Sequence, residues 1–192
     1  MKLLLHTCCA PCLIYPLERL KEKGFSVSGL FYNPNIHPLS EYKNRRQAVE
    51  VYSGESGVEM VYPEYAPEEF FRAVNMMEEK IERCPICWYQ RLKMTAQIAG
   101  ERGCTHFSTT LLVSPYQDQE LLKKIGLDIA KEEDVEFYYE DFRSGFRKAH
   151  DTAKAKGIYC QKYCGCVYSE IERYSKGQSP GAKAGQSPAG LY

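Results

Sequence analysis

All but one of the nine cysteines fall in three short groups. Cys8, Cys9 and Cys12 stand in HTCCAPC, directly after the apolar run Leu3-Leu4-Leu5. Cys84 and Cys87 form CPIC, and YCQKYCGC carries Cys160, Cys164 and Cys166. A thiolate is both a nucleophile and a soft metal ligand, and a CxxC pair gives two sulfurs the reach to share one metal or one cluster edge. A lone CxxC carries little weight. Three groups, one at the end of a predicted strand and two beside predicted helix starts, point to one shared thiolate site, with helix N-termini helping to keep the sulfurs ionised. Cys104 stands alone near a strand start and reads as a small buried hydrophobe, while His6 reads as a hydrogen-bonded helper more than a ligand.

Such a site needs a frame to bring its parts together. Apolar β-type runs alternate with helical segments along the chain: strands at Leu3 to His6, Phe25 to Asn33, GVEMVYP, THFSTT and VEFYY. Helices are predicted from Cys12 to Lys23, bent by Pro16 and closed by Gly24, and from a Ser40 cap to about Tyr52. Others start at Pro67, with Glu68 and Glu69 in the first turn, and run from Trp88 to Arg102, Gln117 to Lys131, Phe146 to Lys156 and Val167 to Tyr174. Strict alternation predicts an α/β fold, a Rossmann-like parallel sheet with helices on both faces, because right-handed crossovers are nearly the only connection between parallel neighbours. Ligands of such sheets bind beyond the carboxyl ends of the strands. Those loops hold His6 to Cys12, then Tyr32, Asn33, Asn35 and His37, then Ser108 to Tyr116, then Asp141 and Arg143.

The chain is long enough for one domain with its own core, expected over residues 1–174. Residues 175–192 repeat Gly-Gln-Ser-Pro and read as a disordered tail or tag remnant. A formal net charge of +0 gives no global field toward nucleic acid or membrane. Two basic stretches, Lys43-Asn44-Arg45-Arg46 and the run through Arg143, Arg147, Lys148, Lys154 and Lys156, read individually as solvated helix faces. So many cysteines in a chain too long for a disulfide scaffold suit a reducing compartment, the cytoplasm. The opening MKLLLHTCCA imitates a secretion signal, but its apolar stretch is cut at His6, and no window approaches the ~20 apolar residues a membrane span needs.

Among redox and metal readings, a thioredoxin begins well with CAPC after a strand. It then requires a late antiparallel hairpin and leaves the other cysteines idle. Structural zinc wants close pairs in one compact ribbon, whereas whole βα units separate these groups. An iron-sulfur cluster accepts thiolates from distant segments and fits best. A nucleotide-dependent sulfur-transfer enzyme on a similar fold is disfavoured, since TCCAPC occupies the place of its glycine- and serine-rich phosphate loop. A non-enzymatic cluster carrier is a third class.

HTCCAPC, YNPNIHPLSEYKNRR, CPICWYQRL, STTLLVSPYQD, EDFR and YCQKYCGC, in that order, resemble the QueH-type epoxyqueuosine reductases, and the resemblance covers about residues 2 to 174. It implies a fold similar to the adenine nucleotide alpha hydrolases and removal of the epoxide oxygen of epoxyqueuosine in tRNA, giving queuosine. It further implies a [4Fe-4S] cluster with an adjacent mononuclear iron held by cysteines and an aspartate. By matched motif the ligand candidates are Cys8, Cys9, Cys12, Cys84, Cys87, Cys164 and Cys166, without division between cubane and extra iron. Cys160 stands outside that set, and Asp141 is favoured over Asp118, which suits a helix start. Tyr116, Tyr163 and His6 are candidate proton donors, and Arg143 a candidate for an oxyanion or a phosphate. Tyr32, Tyr116 and Tyr163 are placed to stack on a base, and Arg45, Arg46, Arg143, Arg147 and Lys148 to meet phosphates. A cubane cycles one electron, so an external donor such as ferredoxin or flavodoxin is expected.

Overall fold

The strand Lys2–His6 (β1) is an apolar run because it lies at the centre of the sheet, covered on both faces, where Leu3, Leu4 and Leu5 are fully buried. A computed structural model describes residues 1–175, so the expected tail lies, apart from its first residue, outside the described residues. Ser26–Leu30 (β2), Met60–Val61 (β3), His106–Thr109 (β4) and Glu136–Phe137 (β5) complete a five-stranded sheet in the order β3-β2-β1-β4-β5. Every pairing is parallel, and His6 lies opposite both Leu30 and Thr109. The antiparallel hairpin of a thioredoxin is therefore absent from the described residues.

Moving from β1 toward β3, right-handed crossovers put Ala10–Glu22 (α1) and Leu39–Ser56 (α2) on one face. The return toward β5 puts Pro67–Val74 (α3), Lys80–Glu101 (α4) and Gln119–Glu133 (α5) on the other. Phe146–Ala155 (α6) packs back onto α1, and Val167–Tyr174 (α7) closes the described chain without a buried residue. Leu13, Leu17 and Leu20 of α1 and Trp88, Leu92, Ala96 and Ala99 of α4 meet the sheet at helical spacing, with Phe107 between the layers. Helices cover both faces, as the alternation predicted.

Several element ends differ from the sequence expectation. The edge strands β3 and β5 have two residues each, far fewer than GVEMVYP and VEFYY suggest, because an edge strand pairs on one side only and gains little by extending. α2 starts behind Pro38 with no side-chain cap, so Ser40 is not its cap, and it runs on to Ser56, where Gly57 turns left-handed. α4 begins eight positions before Trp88, which puts CPIC inside the helix, with Pro85 in its second turn. Asp118 caps α5, its carboxylate accepting from Leu121 N at 3.0 Å.

Candidate metal centre

The strand order reverses about β1, so the loops leaving β1 and β4 open a crevice at the carboxyl end of the sheet, the usual ligand position in such folds. The first cysteine group lies there. Cys8 N donates to Thr110 Oγ1 at 3.2 Å, and the Thr110 hydroxyl turns its proton toward Cys8 Sγ at 3.5 Å. Cys9 is the N-cap of α1, its sulfur accepting from Cys12 N at 3.3 Å. Cys9 and Cys12 are paired as a disulfide, and the sulfurs of Cys8, Cys9 and Cys12 all lie within 4.8 Å of one another, buried, so that reduction of the pair would free all three as ligands.

The other two groups close on this trio from α4 and from the segment before α7. Cys87 and Cys166 pack in one cluster with Phe70 and Val74, and Cys166 caps α7 by accepting from Ser169 N at 3.4 Å. Cys84 and Cys87, expected at a helix start, instead sit past the first turn, where burial pushes their thiols up to about 11 and about 12. No helix terminus offsets that burial; of the two groups expected at helix starts, only the second has a cysteine there, Cys166. Gln161 links the third group to the first: its amide nitrogen donates to Cys9 Sγ at 2.9 Å and reaches Cys12 Sγ at 3.6 Å. Gln117 stands 4.0 Å from Cys164 Sγ.

Arg91 lies among all three groups. It is 1% exposed, and its Nε donates to Cys87 O at 3.0 Å. Burial opposes its charge, whereas Cys87, Cys164, Cys8 and Cys84, once ionised as thiolates, favour it and hold its pKa above the ordinary value. One of its terminal nitrogens is buried without a partner. A pocket of sulfur donors around a buried, under-partnered cation suits a thiophilic metal group whose thiolates bring net negative charge.

The loop carrying Cys164 and Cys166 is held by Arg45 and Gly165. Arg45 donates from Nε to Glu41 at 2.7 Å and from its two terminal nitrogens to Cys164 O and Tyr163 O at 2.9 and 3.0 Å. At 1% exposure Arg45 is a structural clamp and is withdrawn as a phosphate contact. Gly165 has φ +145°, and a Cβ there would meet Ile36 Cγ1 at 3.1 Å and Asn35 Nδ2 at 3.2 Å.

Other expected residues are placed less centrally. His6 is buried, with Nδ1 2.9 Å from Thr109 Oγ1 and Nε2 3.2 Å from both Tyr32 O and Asn33 Oδ1. With both nitrogens engaged it is no free proton donor, in keeping with the helper reading. Tyr32 is buried with its hydroxyl given to Glu69, which removes it as a stacking surface. Tyr163 donates its hydroxyl to His37 O, and burial first, then the nearby Glu41 and Glu170, push it up to about 12. Tyr116 is 79% exposed on the loop that carries Gln117. Asp141 is not grouped with the thiols: its carboxylate is gripped by Arg143 through bonds of 2.6 to 3.0 Å, which hold its pKa below the usual range. Arg46 and Lys148 pair with Glu50 and Glu18, and Arg147 is exposed. Cys104 is buried, and Cys160 packs beside Ile14 and Ala153, away from the sulfur cluster. The sequence reading placed Thr110 on a site loop but missed Arg91, Gln161 and Gln117, although Arg91 lies four residues after Cys87, one helical turn along, and so shares its face.

The chain also has known relatives. "Epoxyqueuosine reductase QueH" of Dehalococcoides mccartyi is 41% identical over 93% of this chain and 98% of the relative. The protein of the same description from Thermotoga maritima is 39% identical over 90% and 92%. A crystal structure described as a predicted subunit of tRNA methyltransferase from Methanocaldococcus jannaschii superimposes with a TM-score of 0.54 over 80% of this chain and 74% of that one; at 11% identity it shows a shared fold alone. A family model described as epoxyqueuosine reductase QueH matches residues 3–172, a span that contains all three cysteine groups and the sheet that assembles them. On that match and these identities, the chain belongs to the epoxyqueuosine reductase QueH family.

Proposed function

We propose that the protein reduces epoxyqueuosine in tRNA to queuosine. The reaction takes two electrons and two protons, breaks both C–O bonds of the epoxide, leaves an alkene and releases water. The observation that carries the reading is the Cys8-Cys9-Cys12 trio at the switch point of the sheet, in a chain of this family. The candidate ligands of a [4Fe-4S] cluster and an adjacent mononuclear iron are Cys8, Cys9, Cys12, Cys84, Cys87, Cys164, Cys166 and Asp141. When bound, such a group supplies single electrons and a Lewis-acidic site.

The chain's own residues hold and orient. Thr110 and Gln161 steer the trio by hydrogen bonds to sulfur. Were Asp141 to hold a metal, it would have to leave its pair with Arg143, and that guanidinium would then be available to an oxyanion or a phosphate. Tyr116 and Tyr163 are the proposed proton sources, Tyr163 after release from His37 O. Arg46, Arg143, Arg147 and Lys148 meet the phosphates of a single-stranded tRNA loop, and ferredoxin or flavodoxin brings electrons. The described residues include no helix long and apolar enough to cross a membrane, and the protein is proposed to act in the cytoplasm, where tRNA is found and thiols stay reduced.

Anaerobically purified protein with a low-potential reductant is expected to convert epoxyqueuosine tRNA to queuosine tRNA, and to lose iron and activity on Cys8→Ala, Cys87→Ala or Cys164→Ala. A colourless anaerobic preparation with no bound iron sinks the reading. Asp141→Ala is expected to lower the iron count while the cubane spectrum persists; an unchanged count removes Asp141 from the ligand set.

A further inference from the structure

Arg91 poses a physical problem that the ligand assignment alone leaves unanswered. A buried ion costs several kcal/mol after relaxation unless charge and hydrogen bonds compensate it. Arg91 is 1% exposed, yet no carboxylate among the described residues forms an ion pair with it. Its Nε is used on Cys87 O, a carbonyl one helical turn back, and one terminal nitrogen has no partner at all. The other buried arginines of the region are treated differently: Arg45 has Glu41, and Arg83 has Glu172. Arg91 instead stands one helical turn after Cys87, whose carbonyl it holds, and the thiols of Cys87, Cys164, Cys8 and Cys84 are near enough to act on its charge. A guanidinium offers several N–H donors in a fixed planar fork, enough to serve more than one sulfur from a single position.

We infer that Arg91 is the counter-charge of the metal centre, a positioning residue whose buried guanidinium balances the thiolates of a bound cluster and raises its reduction potential. The inference rests on the iron-sulfur reading above. Each added electron makes the thiolate-bound group more negative, so a fixed cation nearby stabilises the reduced state more than the oxidised one; net charge and hydrogen bonds to sulfur are recognised determinants of cluster potential. Second-sphere partners of this kind also strengthen metal binding, typically by 10–100-fold. The same logic runs the other way without metal. There the guanidinium is an uncompensated buried charge, and exchanging it for an apolar side chain of similar length relieves the fold.

The test compares the parent with Arg91→Met and Arg91→Lys, each metal-free and each reconstituted anaerobically with iron and sulfide. In the metal-free state Arg91→Met is expected to melt no lower than the parent. In the loaded state it is expected to release iron to a chelator about 10–100-fold faster and to show a more negative midpoint in an EPR-monitored dithionite titration. Arg91→Lys keeps the charge and is expected to stay near the parent midpoint. A metal-free Arg91→Met that fails to fold or melts lower overturns the inference, since it assigns the residue to packing, and so does a loaded Arg91→Met with the parent's iron retention and midpoint. If the parent itself takes up no iron, the iron-sulfur reading fails and this inference with it; if the parent is loaded and the variants match it, the inference alone fails.

Discussion

His6 is the residue on which the strand ends turn. Nε2 faces two acceptors, Tyr32 O and Asn33 Oδ1, so in the neutral ring it carries the proton, and Nδ1 accepts from the Thr109 hydroxyl. One neutral ring thus ties β1 to β2's exit and to β4. Burial, then the charge of Arg91, lowers its pKa to about 3. A group whose folded pKa lies below its unfolded value contributes stability that is complete above about pH 6.5 and is lost as pH falls toward the folded value. Metal-free protein is therefore expected to lose about 2 kcal/mol from this residue between pH 7 and pH 5, seen in urea titrations at the two pH values; flat stability across that interval contradicts a neutral buried ring. Gly165 is the other decisive single residue. Gly165→Ala forces a side chain into φ +145° against Ile36, Asn35 and Arg45, and is expected to cost about 1–3 kcal/mol in melts of the metal-free chain.

At the level of elements, Arg45 fixes α2 to the loop before α7, since a single fork reaches Glu41 and the carbonyls of Tyr163 and Cys164. Arg45→Ala leaves Glu41 buried without its cation, holding only the Tyr159 hydroxyl, and is expected to destabilise the protein by about 3–5 kcal/mol and to loosen Cys164 and Cys166. Faster alkylation of these two thiols in the variant than in the parent, with Cys87 unchanged, checks the second effect. Clamps of this kind are hard to read from sequence. Arg45 sits in a basic run that resembles a solvated face, and its burial follows from a partner loop 118 residues later. The strands and their order of appearance were legible because a parallel sheet demands apolar runs alternating with amphipathic helices. The start of α4 was not: Pro85 reads as a break, yet the helix carries it, because only one backbone bond near the helix's free N-terminal end is given up. The place of the first cysteine group was foreseeable from a strand end, whereas the side chains that steer the sulfurs depend on tertiary placement no spacing reveals.

As a whole the molecule has balanced formal charge, and several of its exposed basic side chains are paired with carboxylates, so it presents no broad cationic surface to a polyanion. Binding to a tRNA loop then rests on a few phosphates plus shape. The slope of log affinity against log salt is expected to be between about −1 and −3, at about −0.7 per phosphate for single strands. A flat response argues against tRNA as the ligand, and a slope several times steeper argues for a basic surface that the fold does not display. Of the proposed sulfur donors, Cys8 stands near the beginning of the described chain and Cys166 near its end. If the thiols of all three segments hold the proposed cluster, a nascent chain lacks a full set of donors until its last cysteine segment has left the ribosome, and a chain broken off before Cys164 is expected to retain little iron.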